Sequence, residues 1–232
     1  MKPKILFAPL IFSTTLLSSY AHSHEQDDPL LASLRVDKLE NSNEATQLEM
    51  NAWMGKDINK FWLKTDVSQH EGKLEHAEVQ ALFSHAVSPY WDLQTGIRRD
   101  IKPSPTRTWG VIGIQGLAPY FFEIDAAIFI GEAGHTAARI TVDYDVLFTQ
   151  RLIFSPEIEI NLYGQNDAET GTGSGASNAS TGLRLRYEIR REFAPYIGVT
   201  WNQQFGKTAE FAQAKNETTS DTQWVIGISA WF

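Results

Sequence analysis

Apolar and polar residues alternate along the C-terminal segment of the chain. From Trp224 onward every second position is apolar, and the set comprises Trp224, Ile226, Ile228, Ala230 and Phe232. Strands of outer-membrane barrels have this pattern, because one face meets lipid and the terminal aromatic residue lies at the membrane–water interface. The alternation therefore predicts a membrane strand at this end of the chain.

The same alternation recurs in segments of about ten residues, the length that a tilted membrane strand needs. We identify ten such segments, although the fourth, residues 106–116, is too rich in glycine for its faces to be assigned. The pattern predicts an all-β fold, a transmembrane antiparallel up-and-down β-barrel of about ten strands over residues 57–232.

Turn chemistry predicts the orientation of this barrel. The short links Ser88-Pro89-Tyr90, Ala118-Pro119-Tyr120 and Ala194-Pro195-Tyr196 all follow even-numbered segments and should lie at one end. The longer polar links follow odd-numbered segments and should lie at the other end. Bacterial barrels have short periplasmic turns and long extracellular loops, so both chain ends of the barrel should be periplasmic.

Two segments precede the predicted barrel. Residues 1–21 have the form of a secretory signal peptide, with a basic start, an apolar stretch and small residues before the expected cleavage after Ala21. Residues 22–56 are polar and show no clear strand pattern, which predicts a mostly disordered periplasmic extension. The expected location is the outer membrane of a Gram-negative bacterium, with outer-membrane lipid around the barrel.

Composition argues against several functions. The chain has no cysteine, which excludes disulfides and thiolate metal sites, and its net charge of −8 makes nucleic acid an unfavourable partner. No Ser/His/Asp set and no zinc-ligand helix stand out, so we expect no enzyme.

Charged residues fill the face opposite the apolar one, which should line the lumen. It carries ten carboxylates against six Lys or Arg residues. One interpretation is a lumen of ion pairs that satisfy one another. The other is a cation path, in which excess carboxylates lower the energy of a cation in a narrow tube. The residues predicted for that path, facing Arg184, Arg186 and Arg190, are Glu123, Asp125, Asp143, Asp145, Glu157 and Glu159.

The segment from Thr181 to Val199, TGLRLRYEIRREFAPYIGV, resembles the copper resistance protein B family. So do Asn59–Thr65, Gly116–Tyr120, Thr149–Leu152 and the final Ala230-Trp231-Phe232. The resemblance implies an outer-membrane barrel in periplasmic copper homeostasis, with Cu(I) or Cu(II) as ligand or transported ion. It also implies a periplasmic multicopper oxidase or copper chaperone as partner.

Family members often carry a Met/His-rich tract before the barrel, and here little of it remains. Met50 and Met54 are four residues apart, so on a helical turn both thioethers would face one way and suit Cu(I). Alternatively, these residues plug the periplasmic mouth of the barrel.

Histidines supply the other candidate ligands. Cleavage after Ala21 would expose His22-Ser23-His24, whose free amine, two amides and third-position imidazole form a square-planar nitrogen set for Cu(II). The alternative is that two histidines near a cleavage site are coincidence. His76 and Glu78 share a predicted inward wall, where two ligands would make a weak transient site.

A function of a different class stays open. The charges of the lumen are also compatible with a small structural or adhesive outer-membrane barrel that has no transport role. A long, aromatic-rich extracellular loop would favour adhesion, and the loop over residues 164–181 is short by that standard.

Overall fold

The computed structural model describes residues 28–43 and 45–232. They form one antiparallel sheet that closes on itself, because the first strand pairs with the last and the ring is completed by pairing in its middle. The strands are β1 (Leu31–Asn41), β2 (Ala45–Gly55), β3 (Asn59–His70), β4 (Lys73–Ser88), β5 (Trp91–Lys102), β6 (Arg107–Ala118), β7 (Phe122–Gly131), β8 (Thr136–Asp143), β9 (Val146–Leu147), β10 (Leu152–Tyr163), β11 (Gly175–Tyr187), β12 (Phe193–Gln204) and β13 (Ser220–Trp231).

The predicted fold class is confirmed, and the strand number is corrected from about ten to twelve. The two-residue β9 pairs with β10, as β8 does, so β8 and β9 are two parts of one interrupted strand. In the described part of the chain, twelve strands therefore surround the lumen, an even number as the fold requires.

The two additional strands are β1 and β2, where the sequence predicted a disordered extension. That prediction is wrong for residues 31–41 and 45–55, and the described part of the barrel begins at Leu31 rather than near residue 57. A bulge between Val36 and Lys38 interrupts the alternation of β1, and the lipid face of β2 carries alanine and methionine beside Leu48. Residues 1–27, including the predicted signal peptide, lie outside the described residues.

The lipid-facing side of the strands is apolar, as the alternation predicted. Ile97, Ile128 and Ile226 are 60%, 58% and 70% exposed, respectively. The glycine-rich β6 has the same arrangement, with Ile112 and Ile114 outward and Trp109 and Val111 buried inward.

The two longest loops, residues 164–174 and 205–219, lie at the end of the barrel opposite the chain termini, as predicted. The short links between β1 and β2 and between β3 and β4 also lie at that end, so short links are not confined to the other end. Of the predicted turns, Ala194-Pro195-Tyr196 lies inside β12, and the turn itself occupies residues 188–192. Which end is periplasmic stays a prediction, and the two ends keep their predicted names below.

A short helix, α1 (Gly206–Ala214), lies in the extracellular loop before β13. The hydroxyl of Thr208 accepts a hydrogen bond from the Gly173 amide at 2.8 Å and pairs with the Ser177 hydroxyl at 2.7 Å. These contacts attach α1 to β11 at the mouth of the lumen. No helix within residues 28–43 and 45–232 is long and apolar enough to cross a bilayer.

An apolar cluster fills part of the lumen, where the sequence predicted charges alone. It consists of Leu82, Trp109, Val111, Phe129 and Ala137, each less than 8% exposed. These side chains come from the inward positions of β4, β6, β7 and β8. One wall of the lumen is therefore packed like a protein core.

Candidate functional site in the charged lumen

Among the described residues, three ion pairs join strands that are four positions apart around the barrel. Lys38 Nζ lies 2.5 Å from Glu157 Oε1, and Lys64 Nζ lies 2.6 Å from Asp125 Oδ2. Arg139 donates two hydrogen bonds to Glu78, at 2.9 and 3.0 Å. Each pair joins opposite parts of the wall, so together they narrow the lumen.

Glu78 is the most heavily paired carboxylate of the lumen, and its side chain is only 3% exposed. Arg98 contacts it at 2.9 Å from one side while Arg139 contacts it from the other. Gln80 donates a further hydrogen bond at 2.6 Å. Charge-assisted hydrogen bonds in this number offset the energy of burying the carboxylate.

Glu157 is the centre of a second network, to which the strands missed by the sequence contribute. Lys38 bridges Glu157 and Glu49, with its ammonium 2.9 Å from the latter. Arg184 donates to Glu157 at 2.7 Å and also binds Glu40. In β2, Glu49 lies between the apolar, lipid-facing residues Leu48 and Met50. This alternation was the signal in the sequence that could have predicted that Glu49 faces the lumen.

The structure pairs four of the six residues predicted for a cation path. Asp125 and Glu157 are bridged across the lumen. Asp145 lies 2.5 Å from Arg186, and Glu159 lies 3.7 Å from Arg139. For these four residues the interpretation of mutual ion pairs holds. The expected partner Arg190 instead lies in the turn before β12.

The other two residues, Glu123 and Asp143, have no cationic side chain within 4 Å among the described residues. They are directly opposite each other on β7 and β8, and Asp143 is also directly opposite Glu157 on β10. Opposite side chains in antiparallel strands have Cβ atoms about 4.5–5.5 Å apart. Three carboxylates therefore form a row on the inner wall, with Glu123 exposed at the periplasmic mouth. We call these three residues the carboxylate row.

On the extracellular side, the lumen opens as a cavity of about 970 Å³. Acidic residues such as Glu49 and Asp66 line it together with two histidines, His70 and His76. Lys38 and Arg139 of the cross-lumen pairs also border it. A cation entering from outside therefore meets carboxylates before it reaches the bridged part of the lumen.

His76 lies between two carboxylates, with its Nε2 atom 3.8 Å from both Asp66 Oδ2 and Glu78 Oε2. Two arginines already bind Glu78. Of the two residues predicted to form a weak metal site, only His76 is therefore available as a ligand. Within the described part of the chain, no group of three or more His, Cys, Asp or Glu residues could hold a metal ion.

The methionine prediction is wrong in its geometry. Met50 and Met54 lie on β2 rather than on a helical turn, and both are on the lipid-facing side, where Met54 is 51% exposed. Four residues along a strand separate their Cα atoms by about 13 Å. They therefore neither share one ion nor plug the mouth of the lumen. His22 and His24 lie outside the described residues, so the N-terminal Cu(II) site stays a prediction.

A salt bridge also anchors the loop between β10 and β11. Arg107 Nη2 donates to Asp167 Oδ2 and Glu169 Oε2, each at 2.8 Å. Partial burial disfavours the charged form of Asp167, but the hydrogen bonds from Arg107 and from the loop backbone outweigh it and lower the pKa of that carboxyl. Asp167 therefore stays ionised at neutral pH and keeps the loop attached to β6.

Comparisons with known proteins support the resemblance seen in the sequence. The family described as copper resistance protein B precursor (CopB) matches residues 30–232. The copper resistance protein B homolog of Pseudomonas syringae pv. tomato (strain ATCC BAA-871 / DC3000) is 45% identical over 218 residues, which cover 91% of this chain and 74% of that protein. Copper resistance protein B of Escherichia coli is 44% identical over 203 residues, covering 88% and 68%.

Solved structures with a similar fold are outer-membrane porins. The NanC porin superposes with a TM-score of 0.56 and the KdgM porin with 0.53, each at 12% identity and covering 86% of this chain and 99% of the other. At this identity the likeness shows the fold alone. Together with the apolar outer face of the strands and the family match, it confirms the outer-membrane location.

Proposed function

The chain belongs to the copper resistance protein B family, and on this premise we propose that its barrel passes copper ions across the outer membrane through the lumen. The observation that carries the proposal is the carboxylate row, in which Glu123 and Asp143 have no cationic partner among the described residues. Excess negative charge in a narrow lumen concentrates cations there and lowers the barrier to their passage.

The residues around the lumen favour transient contact over tight binding. A conducting site must be strong enough to attract an ion and weak enough to release it. Carboxylates and a single imidazole, such as His76, meet this condition for Cu(II), which binds nitrogen and oxygen ligands more strongly than other divalent first-row metals do. Preference for copper over other cations would then come from the ligand type and not from a closed metal cage.

The proposal orders the charged groups along the barrel axis. Glu49, Asp66 and His76 would attract the ion in the extracellular cavity, and the carboxylate row would receive it near the periplasmic end. The cross-lumen pair of Lys64 with Asp125 lies between these two regions and restricts the size of what passes. A periplasmic multicopper oxidase or copper chaperone remains the expected partner at the mouth where Glu123 is exposed.

Neutralising the two unpaired carboxylates should reduce copper passage. We expect Glu123→Gln/Asp143→Asn to lower Cu(II) flux into proteoliposomes about three- to tenfold, because the lumen loses two carboxylates that no cationic side chain of the described residues contacts. A copper-sensitive dye trapped inside the vesicles measures the flux. Reversal potentials in a salt gradient should show reduced cation selectivity in the same variant.

The matched control is Glu71→Gln/Glu132→Gln, which removes two exposed carboxylates from extracellular turns. It should leave flux and selectivity unchanged. Equal copper flux in the lumen variant and the wild type, with both barrels folded, would contradict the proposed path. A wild-type barrel that passes no ions at all would favour the structural or adhesive alternative.

Copper capture by the N-terminus is a separable part of the proposal. Removing residues 22–27 deletes His22 and His24 without touching β1, which begins at Leu31. Loss of bound Cu(II) with unchanged flux would assign the two roles to different parts of the chain.

A further inference from the structure

One charged residue lies on the lipid-facing side of β5. Arg99 is exposed between Ile97 and Ile101, which are 60% and 45% exposed on the same face. Its neighbours Arg98 and Asp100 point into the lumen and are buried. The side chain of Arg99 makes no hydrogen bond or ion pair within residues 28–43 and 45–232. Its guanidinium is therefore free to bind a group outside the protein.

The adjacent strands offer no carboxylate at this level. Arg99 is directly opposite Val79 on β4 and Thr108 on β6. Of Val79 and Thr108, only Thr108 has a side chain that can form hydrogen bonds. Its hydroxyl has no partner in the described part of the chain. The two donors lie side by side on the outer surface.

Arg99 lies in the extracellular part of the apolar band. It is eight residues beyond Trp91, at the periplasmic end of β5. A strand tilted by about 40° rises about 2.5 Å per residue along the membrane normal, which places Arg99 about 20 Å above Trp91 in a band about 25 Å tall. From this height a long arginine side chain reaches the headgroups of the outer leaflet.

A shallow depression lies next to these donors, on the side toward the bilayer centre. Gly110 faces lipid two residues below Thr108 on β6, and a side chain there would meet only the Ile130 carbonyl oxygen, at 3.7 Å. Ile97 and Ile130 flank Gly110 on the neighbouring strands, and both are more than half exposed. The space above Gly110 can therefore receive an acyl chain.

We propose that Arg99 and Thr108 bind the phosphate group of an outer-leaflet lipid, with one acyl chain of that lipid over Gly110. Guanidinium groups form paired hydrogen bonds with phosphate, which explains an arginine at a position where an unpaired charge is unfavourable. The site lies outside the lumen, so it does not depend on the proposed copper path.

Native mass spectrometry of the full chain in detergent tests this site, with bisphosphorylated lipid A and the same lipid without phosphates. The wild type should bind the phosphorylated lipid about tenfold more tightly than the dephosphorylated lipid. Arg99→Gln should abolish this preference, and Arg99→Lys should retain part of it. Gly110→Leu should weaken binding of both lipids, because it fills the depression.

The matched control is Arg191→Gln, which removes an exposed arginine from a periplasmic turn and should leave lipid binding unchanged. Heat-dependent gel migration checks that every variant is folded. Equal binding of the two lipids by the wild type would overturn the proposal, as would an unchanged preference in Arg99→Gln. An Arg99-dependent dimer that forms without lipid would instead assign this surface to a second copy of the chain.

Discussion

Glu78→Gln should lower the free energy of unfolding of the barrel by about 3–5 kcal/mol, because it leaves two arginines in the lumen without their shared counter-charge. Arg98 is only 3% exposed at its side chain and Arg139 is 18% exposed. Urea unfolding in lipid vesicles, followed by tryptophan fluorescence, measures the change.

A control on the same strand separates this effect from a general loss of charge. Glu75→Gln removes an exposed carboxylate from β4 and should change the free energy of unfolding by less than about 0.5 kcal/mol. Glu78→Gln/Arg139→Gln should recover part of the loss, since both members of the buried pair are then uncharged. If Glu75→Gln and Glu78→Gln lower the free energy of unfolding equally, the central role of Glu78 is contradicted. A Glu78→Gln/Arg139→Gln variant that is no more stable than Glu78→Gln would contradict it too.

Alternation predicted which face of most strands meets lipid, because burial against the bilayer imposes a strict period of two on the chain. The prediction failed at β1, where the bulge between Val36 and Lys38 shifts the period by one residue. Because β1 and β2 were not predicted, Lys38, Glu40 and Glu49 were missing from the predicted lumen. The predicted count of lumen charges was therefore incomplete. A local irregularity in backbone pairing was therefore enough to hide part of the functional wall.

The sequence could not predict which charged residues pair across the lumen, for a different reason. Lys38 and Glu157 are 119 positions apart, and Glu40 and Arg184 are 144 apart. Which inward residues meet depends on the stagger with which the sheet closes, and alternation does not reveal that stagger. The prediction therefore identified the carboxylates of strands β7 to β10 as inward residues but could not tell which of them are bridged.

The apolar cluster in the lumen has a consequence for passage of ions. Phe129 is 1% exposed and packs with Leu82, Trp109 and Val111, while the guanidinium of Arg98 lies 4.5 Å from its ring centre. The cluster thus holds one of the two arginines that fix Glu78. Packing and ion pairing on this wall stabilise each other and reduce the open cross-section of the lumen.

Phe129→Ala should therefore destabilise the barrel by about 3–5 kcal/mol and also raise its ion conductance. Truncation removes packing from the buried wall and leaves Arg98 without the ring that supports it, so the lumen should be wider at this level. Urea unfolding measures the first effect, and single-channel recording in planar bilayers measures the second.

The adjacent residue provides a matched control, because Ile128 lies on the same strand but faces lipid and is 58% exposed. Ile128→Ala should leave conductance unchanged and destabilise the barrel by less than Phe129→Ala does. Phe129→Leu keeps most of the volume and should restore both stability and the wild-type conductance in large part. If Phe129→Ala lowers stability but conductance stays at the wild-type value, the cluster supports the wall without limiting passage, and the cross-lumen ion pairs alone set the width of the path.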